Sequence, residues 1–273
     1  MSRAFFSTSF ARLAAVLALA GAVSGCHRSA GRGAGRRSEL LPATPLDLSH
    51  AGRIYGQVDY VGTPPALPPL DLRADPYCAS QHQGALPDPS LVINANHTLR
   101  GALVYIARGL ENHRFRPPAW PVELKQTGCM FKPHVAGIMA GQPLVVSSAD
   151  ATPHNVHFLG PAGANWNLAL LPQSPPLSRR FPPSAVGPAP VEVVCNVHPW
   201  MRAWVAVRPN PYFAVTGRRG RYRFPPLPPG AYTVAVWQER LGIEQHPVKL
   251  VPGGRVELVF QFGKAAAAKR GGL

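Results

Sequence analysis

Thirty-two prolines are spread through this 273-residue chain. Inside a helix each one removes a backbone donor and clashes with the carbonyl four residues back, so long helices are excluded. No long segment shows helical periodicity. Instead, short stretches rich in Val, Tyr and Phe, set off by Pro and Gly, occur at 53–61, 101–107, 143–148, 191–195, 203–207, 232–237 and 255–262. Several alternate with the two-residue period of half-buried strands. The expected class is all-β, built as sandwiches. With 46% apolar residues, the chain can bury one large core or two smaller ones.

The formal charge of +15 invites a nucleic-acid reading, but its distribution argues against one. Residues 1–37 and 264–273 hold nine of the 28 Lys and Arg and no acid, leaving 19 cations against all 13 acids between them. A body with so modest an excess suits acidic partners, not nucleic acid. At the N-terminus, Arg3 and Arg12 flank a short charged region, an apolar run covers 13–23, and Val23, Ser24, Gly25 and Cys26 close it. The run is too short to span a bilayer and reads as a signal peptide over 1–25. Its ending resembles the lipobox of bacterial lipoproteins, which implies lipidation of Cys26; ordinary cleavage near Ala22 is the alternative. His27 follows, unlike the aspartate that retains lipoproteins in the inner membrane, so the expected location is the periplasm, anchored to the outer membrane. Residues 26–50, rich in Gly, Arg, Ser and Pro, read as a flexible linker, and 264–273 as a disordered tail.

Export gives the remaining cysteines a meaning, since an oxidising compartment permits disulfides. Cys78 and Cys129 are expected to pair, which leaves Cys195 without a partner. The alternative gathers Cys78, Cys129, His82 and His134 into a second metal site, at spacings loose for structural zinc.

Toward the C-terminus, the stretches 214–224 and 227–236 resemble the second half of a carboxypeptidase regulatory-like domain, a small transthyretin-like sandwich. Opening strands of the kind found in that family occur far upstream, at 52–58 and 99–106. The resemblance implies one sandwich made of 51–118 plus 209–263, with 119–208 as a second domain inserted in a loop; two consecutive domains are the alternative.

The chemistry concentrates in 119–208. Cys195, His198 and Met201 succeed one another at three-residue intervals between two strand-like runs, and Asp150, Thr152, His154 and Asn155 lie about forty residues upstream. A thiolate, two imidazoles and a weak axial thioether are the ligands of a blue-copper site; zinc accepts the same thiolate and imidazoles, but the thioether favours copper. The run Thr152, Pro153, His154, Asn155, Val156 is similar to the first-histidine loop of plastocyanin. The run from Cys195 to Met201 resembles the short ligand loop of amicyanin. Both are cupredoxins, and the resemblance covers about 125–208. It implies a Greek-key β-sandwich with one type 1 copper held by His154, Cys195, His198 and Met201. It also implies His198 near the surface as an electron port, rimmed by Pro199 and Trp200. The combination of both domains resembles exported bacterial proteins of the methylamine-utilization type. One departure stands out: where cupredoxins commonly carry a bracing asparagine before the acid upstream of the first histidine, this chain has Ser147, Ser148 and Ala149.

Four protein ligands leave no place for a substrate, and no phosphate-cradling glycine loop, serine nucleophile motif or convincing carboxylate pair is present, so no enzyme is expected. His157 is a neighbour of the site, on one face of its strand or the other. Arg218, Arg219, Arg221 and Arg223 read as a solvated hairpin face or as a docking strip for an acidic cytochrome or dehydrogenase. The leading expectation is single-electron transfer between periplasmic redox partners. The alternatives are copper delivery and a surface interaction module with a structural metal.

Overall fold

The computed structural model describes residues 43–263. The signal peptide at 1–25, Cys26, the linker as far as residue 42 and the tail at 264–273 lie outside the described residues. In chain order the strands are β1 (Arg53–Tyr60), β2 (Val92–Ile93), β3 (Leu99–Arg100), β4 (Leu103–Arg108), β5 (Val122–Gln126), β6 (Phe131–Lys132), β7 (Val135–Met139), β8 (Pro143–Ser148) and β9 (His154–Leu159). They continue as β10 (Trp166–Leu170), β11 (Leu177–Arg180), β12 (Val191–Val194), β13 (Arg202–Arg208), β14 (Phe213–Val215), β15 (Arg221–Arg223), β16 (Gly230–Gln238), β17 (Gly242–Leu250) and β18 (Arg255–Phe262). Among the described residues the helical pieces are α1 (Pro76–Ser80) and a 3-10 turn at Pro183–Ala185, each with proline in its first turn, where a missing N–H costs nothing. No helix among them is long and apolar enough to cross a membrane. The protein is all-β.

Two sheets face each other around the first core. One has the order β10–β9–β12–β13–β7, the other β11–β8–β5–β6. Alternation decides which side chains enter. In β5, Leu124 and Gln126 are buried while Glu123 and Lys125 are exposed, and in β12 Val191 and Val193 turn inward. Leu124, Phe131, Ile138, Leu144, Val156, Phe158, Phe181 and Val205 fill the space between. The segment 70–86 joins this core from outside the strands: Leu70, Leu72, Tyr77, Cys78 and Leu86 pack against it.

A second core lies between sheets of order β15–β1–β18 and β14–β4–β16–β17, whose strands come from both sides of 122–208 in the chain. Ile54, Val58, Val104, Ile106, Tyr222, Val234, Val236 and Phe260 fill it. Leu46, at the end of the expected linker, also packs here, and Thr44 N donates to Arg114 O. A small two-stranded sheet, β2–β3, lies beside it in sequence.

The sandwiches stack through a third apolar patch. In β4, Val104 and Ile106 enter the second core while Leu103 and Tyr105 turn the other way and meet Val135 and Ala206. In β16, Ala235 and Trp237 do the same, and Trp237 lies 5.2 Å from Trp204 between ring centroids. These strands read as continuous apolar runs because both faces are covered. Gly137 permits the close approach: a Cβ there would fall 2.5 Å from the Phe213 ring.

Candidate metal centre

Two loops at one end of the first sandwich carry the candidate ligands. His154 opens β9, and the turn between β12 and β13 carries Cys195, His198 and Met201. That turn is closed by its own backbone, with Cys195 N donating to Met201 O at 3.1 Å and Met201 N to His198 O at 2.9 Å. Asn155 joins the two loops. Its Oδ1 accepts from Asn196 N at 2.6 Å, and its Nδ2 donates to Asn196 Oδ1 at 2.7 Å. Ser148 Oγ accepts from Asp150 N at 3.3 Å, and Asn155 and Asp150 supply the rest of the bracing.

The structure brings three candidate donor atoms together. His154 Nδ1 and His198 Nδ1 are 2.9 Å apart, and Cys195 Sγ is 3.9 Å from each. All three residues are about 2% exposed. Met201 is fully buried in the first core at the end of the same turn.

Each imidazole has a carboxylate behind it. His154 Nε2 donates to Asp150 Oδ2 at 3.0 Å, and His198 Nε2 donates to Asp75 Oδ2 at 2.9 Å. Asp150 also accepts from the amides of Gly128 at 2.6 Å and Cys129 at 2.9 Å. An ionised carboxylate only accepts, so it places the ring proton on Nε2 and leaves Nδ1 as a lone pair. Two such lone pairs 2.9 Å apart, beside a sulfur, repel one another unless a cation lies between them.

The charges follow. Burial opposes ionisation of His154, but its bonds to Asp150 and Cys195 outweigh this and raise the imidazole to about 9. Burial likewise raises the Cys195 thiol, but the His154 bond and the backbone amides of Asn155, His198 and Val197 outweigh it and bring it to about 6. The bond from His198, followed by the Cys78 amide, lowers Asp75 to about 2. Without metal, a proton on His154 beside a Cys195 thiolate fills the need for positive charge, and a metal ion that binds here displaces that proton. The donor set of one thiolate and two imidazoles in a dry pocket fits copper or zinc.

His198 is not at the surface. The turn containing α1 covers it, with Asp75 bonded to Nε2 and Cys78 Sγ at 3.7 Å, and it is 2% exposed. The expected electron port is therefore roofed, because a segment that carries no strand pattern folds over it. Trp200 is half-buried with its ring centroid 5.0 Å from that of His198, and its Nε1 donates to Cys129 O.

Cys78 and Cys129 form a disulfide. His82 Nε2 donates to Gly128 O, and His134 pairs with Glu239 at 2.6 Å, so these four residues do not gather as ligands. His157 Nδ1 meets Asn196 Oδ1 at 3.1 Å, next to the site but outside the donor group. Arg221 and Arg223 are exposed on edge strand β15, which belongs to the second sandwich, and Arg218 and Arg219 are exposed just before it. Asp75 was missed by the sequence reading; its only local signal is a helix-capping Asp before Pro76.

No family model and no curated protein matches this chain. Among solved structures it is similar to the copper-containing nitrite reductase of Thermus scotoductus SA-01, at 19% identity and TM-score 0.29 over 34% of this chain. The likeness spans a quarter of that enzyme's length (25%). It is also similar to a purple cupredoxin from Nitrosopumilus maritimus, at 20% identity and TM-score 0.26 over 32% of this chain and 98% of the other. A third likeness is to plastocyanin from Dryopteris crassirhizoma, at 18% identity and TM-score 0.27 over 32% of this chain and 100% of that one.

Proposed function

We propose that this protein is an exported, lipid-anchored cupredoxin-like blue-copper protein that passes single electrons between periplasmic redox partners. His154 Nδ1, Cys195 Sγ and His198 Nδ1 would hold one copper ion, with the Met201 thioether as a weaker fourth donor. The observation that carries this reading is the facing pair of Nδ1 atoms beside a thiolate, each imidazole fixed from behind by a carboxylate. Bound copper would supply a one-electron couple.

The chain's own residues do the rest. Asp150 and Asp75 hold the ring protons on Nε2, Cys195 is poised as a thiolate, and the closed turn, braced by Asn155, keeps the donors in place in either oxidation state. Burial of every donor excludes water and leaves no opening for a substrate, which favours a carrier over an enzyme. It also disfavours copper delivery, since exchange needs an exposed donor. Trp200, its ring tilted 45° to that of His198 and only half-buried, would give the centre an aromatic contact toward the surface. The disulfide supports an oxidising compartment. Lipid attachment at Cys26, the outer membrane and an acidic redox partner rest on the sequence. Cys26→Ala should move the protein from the membrane fraction to the soluble one.

The optical spectrum of copper-loaded, oxidised protein tests the centre. An intense visible thiolate-to-copper band that vanishes in Cys195→Ser, with a reversible one-electron wave, is the expected result. A colourless protein that still binds copper or zinc would sink the electron-transfer reading and leave a structural metal.

A further inference from the structure

Asp75 has two tasks on its two oxygens. Oδ1 accepts from Cys78 N at 3.0 Å, which caps the single turn of α1. Serine or asparagine would serve equally well there, since capping needs only one short acceptor. Oδ2 does something a cap does not require. It receives His198 Nε2 at 2.9 Å and the Thr152 hydroxyl at 3.1 Å, so one oxygen touches both ligand loops. Asp75 lies 123 residues before His198, outside the strands that carry the ligands. It is held there by covalent and apolar anchors: the Cys78–Cys129 disulfide and the packing of Leu72 and Tyr77 on the first core. Around His198 Nε2 the other close group is Cys78 Sγ at 3.7 Å, a poor acceptor. Without the carboxylate, nothing of comparable strength would hold the proton on Nε2, and the ring would be free to change tautomer or turn over.

We propose that Asp75, delivered by the disulfide-anchored turn, is a positioning residue of the metal centre: it fixes His198 with Nδ1 toward the metal and joins the two ligand loops over it. This inference rests on the metal reading of His154, Cys195 and His198.

Two variants separate its tasks. Asp75→Ser keeps the helix cap but is too short to reach the ring. Asp75→Asn has a single oxygen, which two donors, His198 Nε2–H and the Thr152 hydroxyl, draw away from the one at the cap; it keeps the acceptor for the ring but gives up the cap and the charge. In metal-free protein labelled with 15N-histidine, long-range 15N–1H spectra should show His198 as the Nε2–H tautomer in the wild type and in Asp75→Asn, and as a mixture in Asp75→Ser. In copper competition against a chelator, Asp75→Ser should bind about 10–100-fold more weakly, the usual cost of losing such a partner. Asp75→Asn should recover most of that loss and raise the reduction potential. An unchanged tautomer in Asp75→Ser, with affinity within about twofold of wild type, would overturn the proposal. So would an unchanged potential in Asp75→Asn if Asp75→Ser does not fold. A wild-type protein that takes up no copper would instead remove the proposed function, while the tautomer comparison would still decide the role of Asp75.

Discussion

Three acidic groups converge on the donor cluster: the Cys195 thiol and the carboxylates of Asp150 and Asp75. Asp150 is the most deeply buried of the carboxylates, its side chain 2% exposed, and it accepts from two backbone amides and one imidazole. Burial alone would push its carboxyl up, but these donors, the His154 bond first, outweigh burial and hold it below the ordinary value. In Asp150→Asn, an amide group would face one of those donors and leave it unsatisfied. Unfolding of the metal-free variant by urea should show a loss of about 1–3 kcal/mol, the cost of one buried unpaired polar group. With copper, losing a negative charge behind His154 should raise the reduction potential, because the oxidised ion carries the larger positive charge; voltammetry reads it directly. The residues that name this site were legible in the sequence because Cys195, His198 and Met201 are spaced along one short turn. Of the carboxylates that tune it, Asp150 stands four residues before His154 and was visible beside it, but Asp75 was not, because a bond to an imidazole across 123 residues leaves no local pattern.

At the scale of elements, the site depends on two pieces that order each other: the β12–β13 turn and the stapled turn around α1. Strands were readable from their alternation, as in β5 and β12, where one face is wet. The α1 turn was not, because a five-residue helix is too short for any period to show, and its neighbours at 70–86 bind the first core through scattered apolar residues. The disulfide closes a separation of 51 residues. By loop-closure entropy, replacing both Cys78 and Cys129 with serine should cost about 4 kcal/mol. Thermal or urea unfolding under non-reducing conditions would measure this. The same double variant should release copper to a chelator faster than the wild type, since the turn that carries Asp75 loses its covalent anchor. Equal release rates would mean that Leu70, Leu72 and Tyr77 suffice to hold the roof.

For the whole molecule, the governing fact is that β4, β13 and β16 are covered on both faces. Val205 and Val207 of β13 enter the first core, while its other face, with Trp204 and Ala206, meets β4 and β16. A strand pattern reports that both of its faces are buried but not by what, so the stacking of the two sandwiches could not be read from the chain. The contact also holds polar groups: Arg208 lies over the Tyr105 ring at 3.7 Å from its centroid and donates to Gly187 O, and the Tyr105 hydroxyl donates to Pro188 O. Such a junction couples the unfolding of the two cores, because separating them would wet Leu103, Tyr105, Trp204 and Trp237 together. Trp237→Ala removes the largest of these side chains from the second sandwich without touching either core or the metal site. It should cost about 3–5 kcal/mol, as truncation of a buried tryptophan does. The larger consequence is for cooperativity. Calorimetry of the wild type should show a single transition, and the variant should show two, with copper raising the temperature of only the one that belongs to the ligand-bearing sandwich. A single transition in the variant, shifted as a whole by copper, would mean that the chain crossings near 118 and 209 couple the sandwiches without this contact.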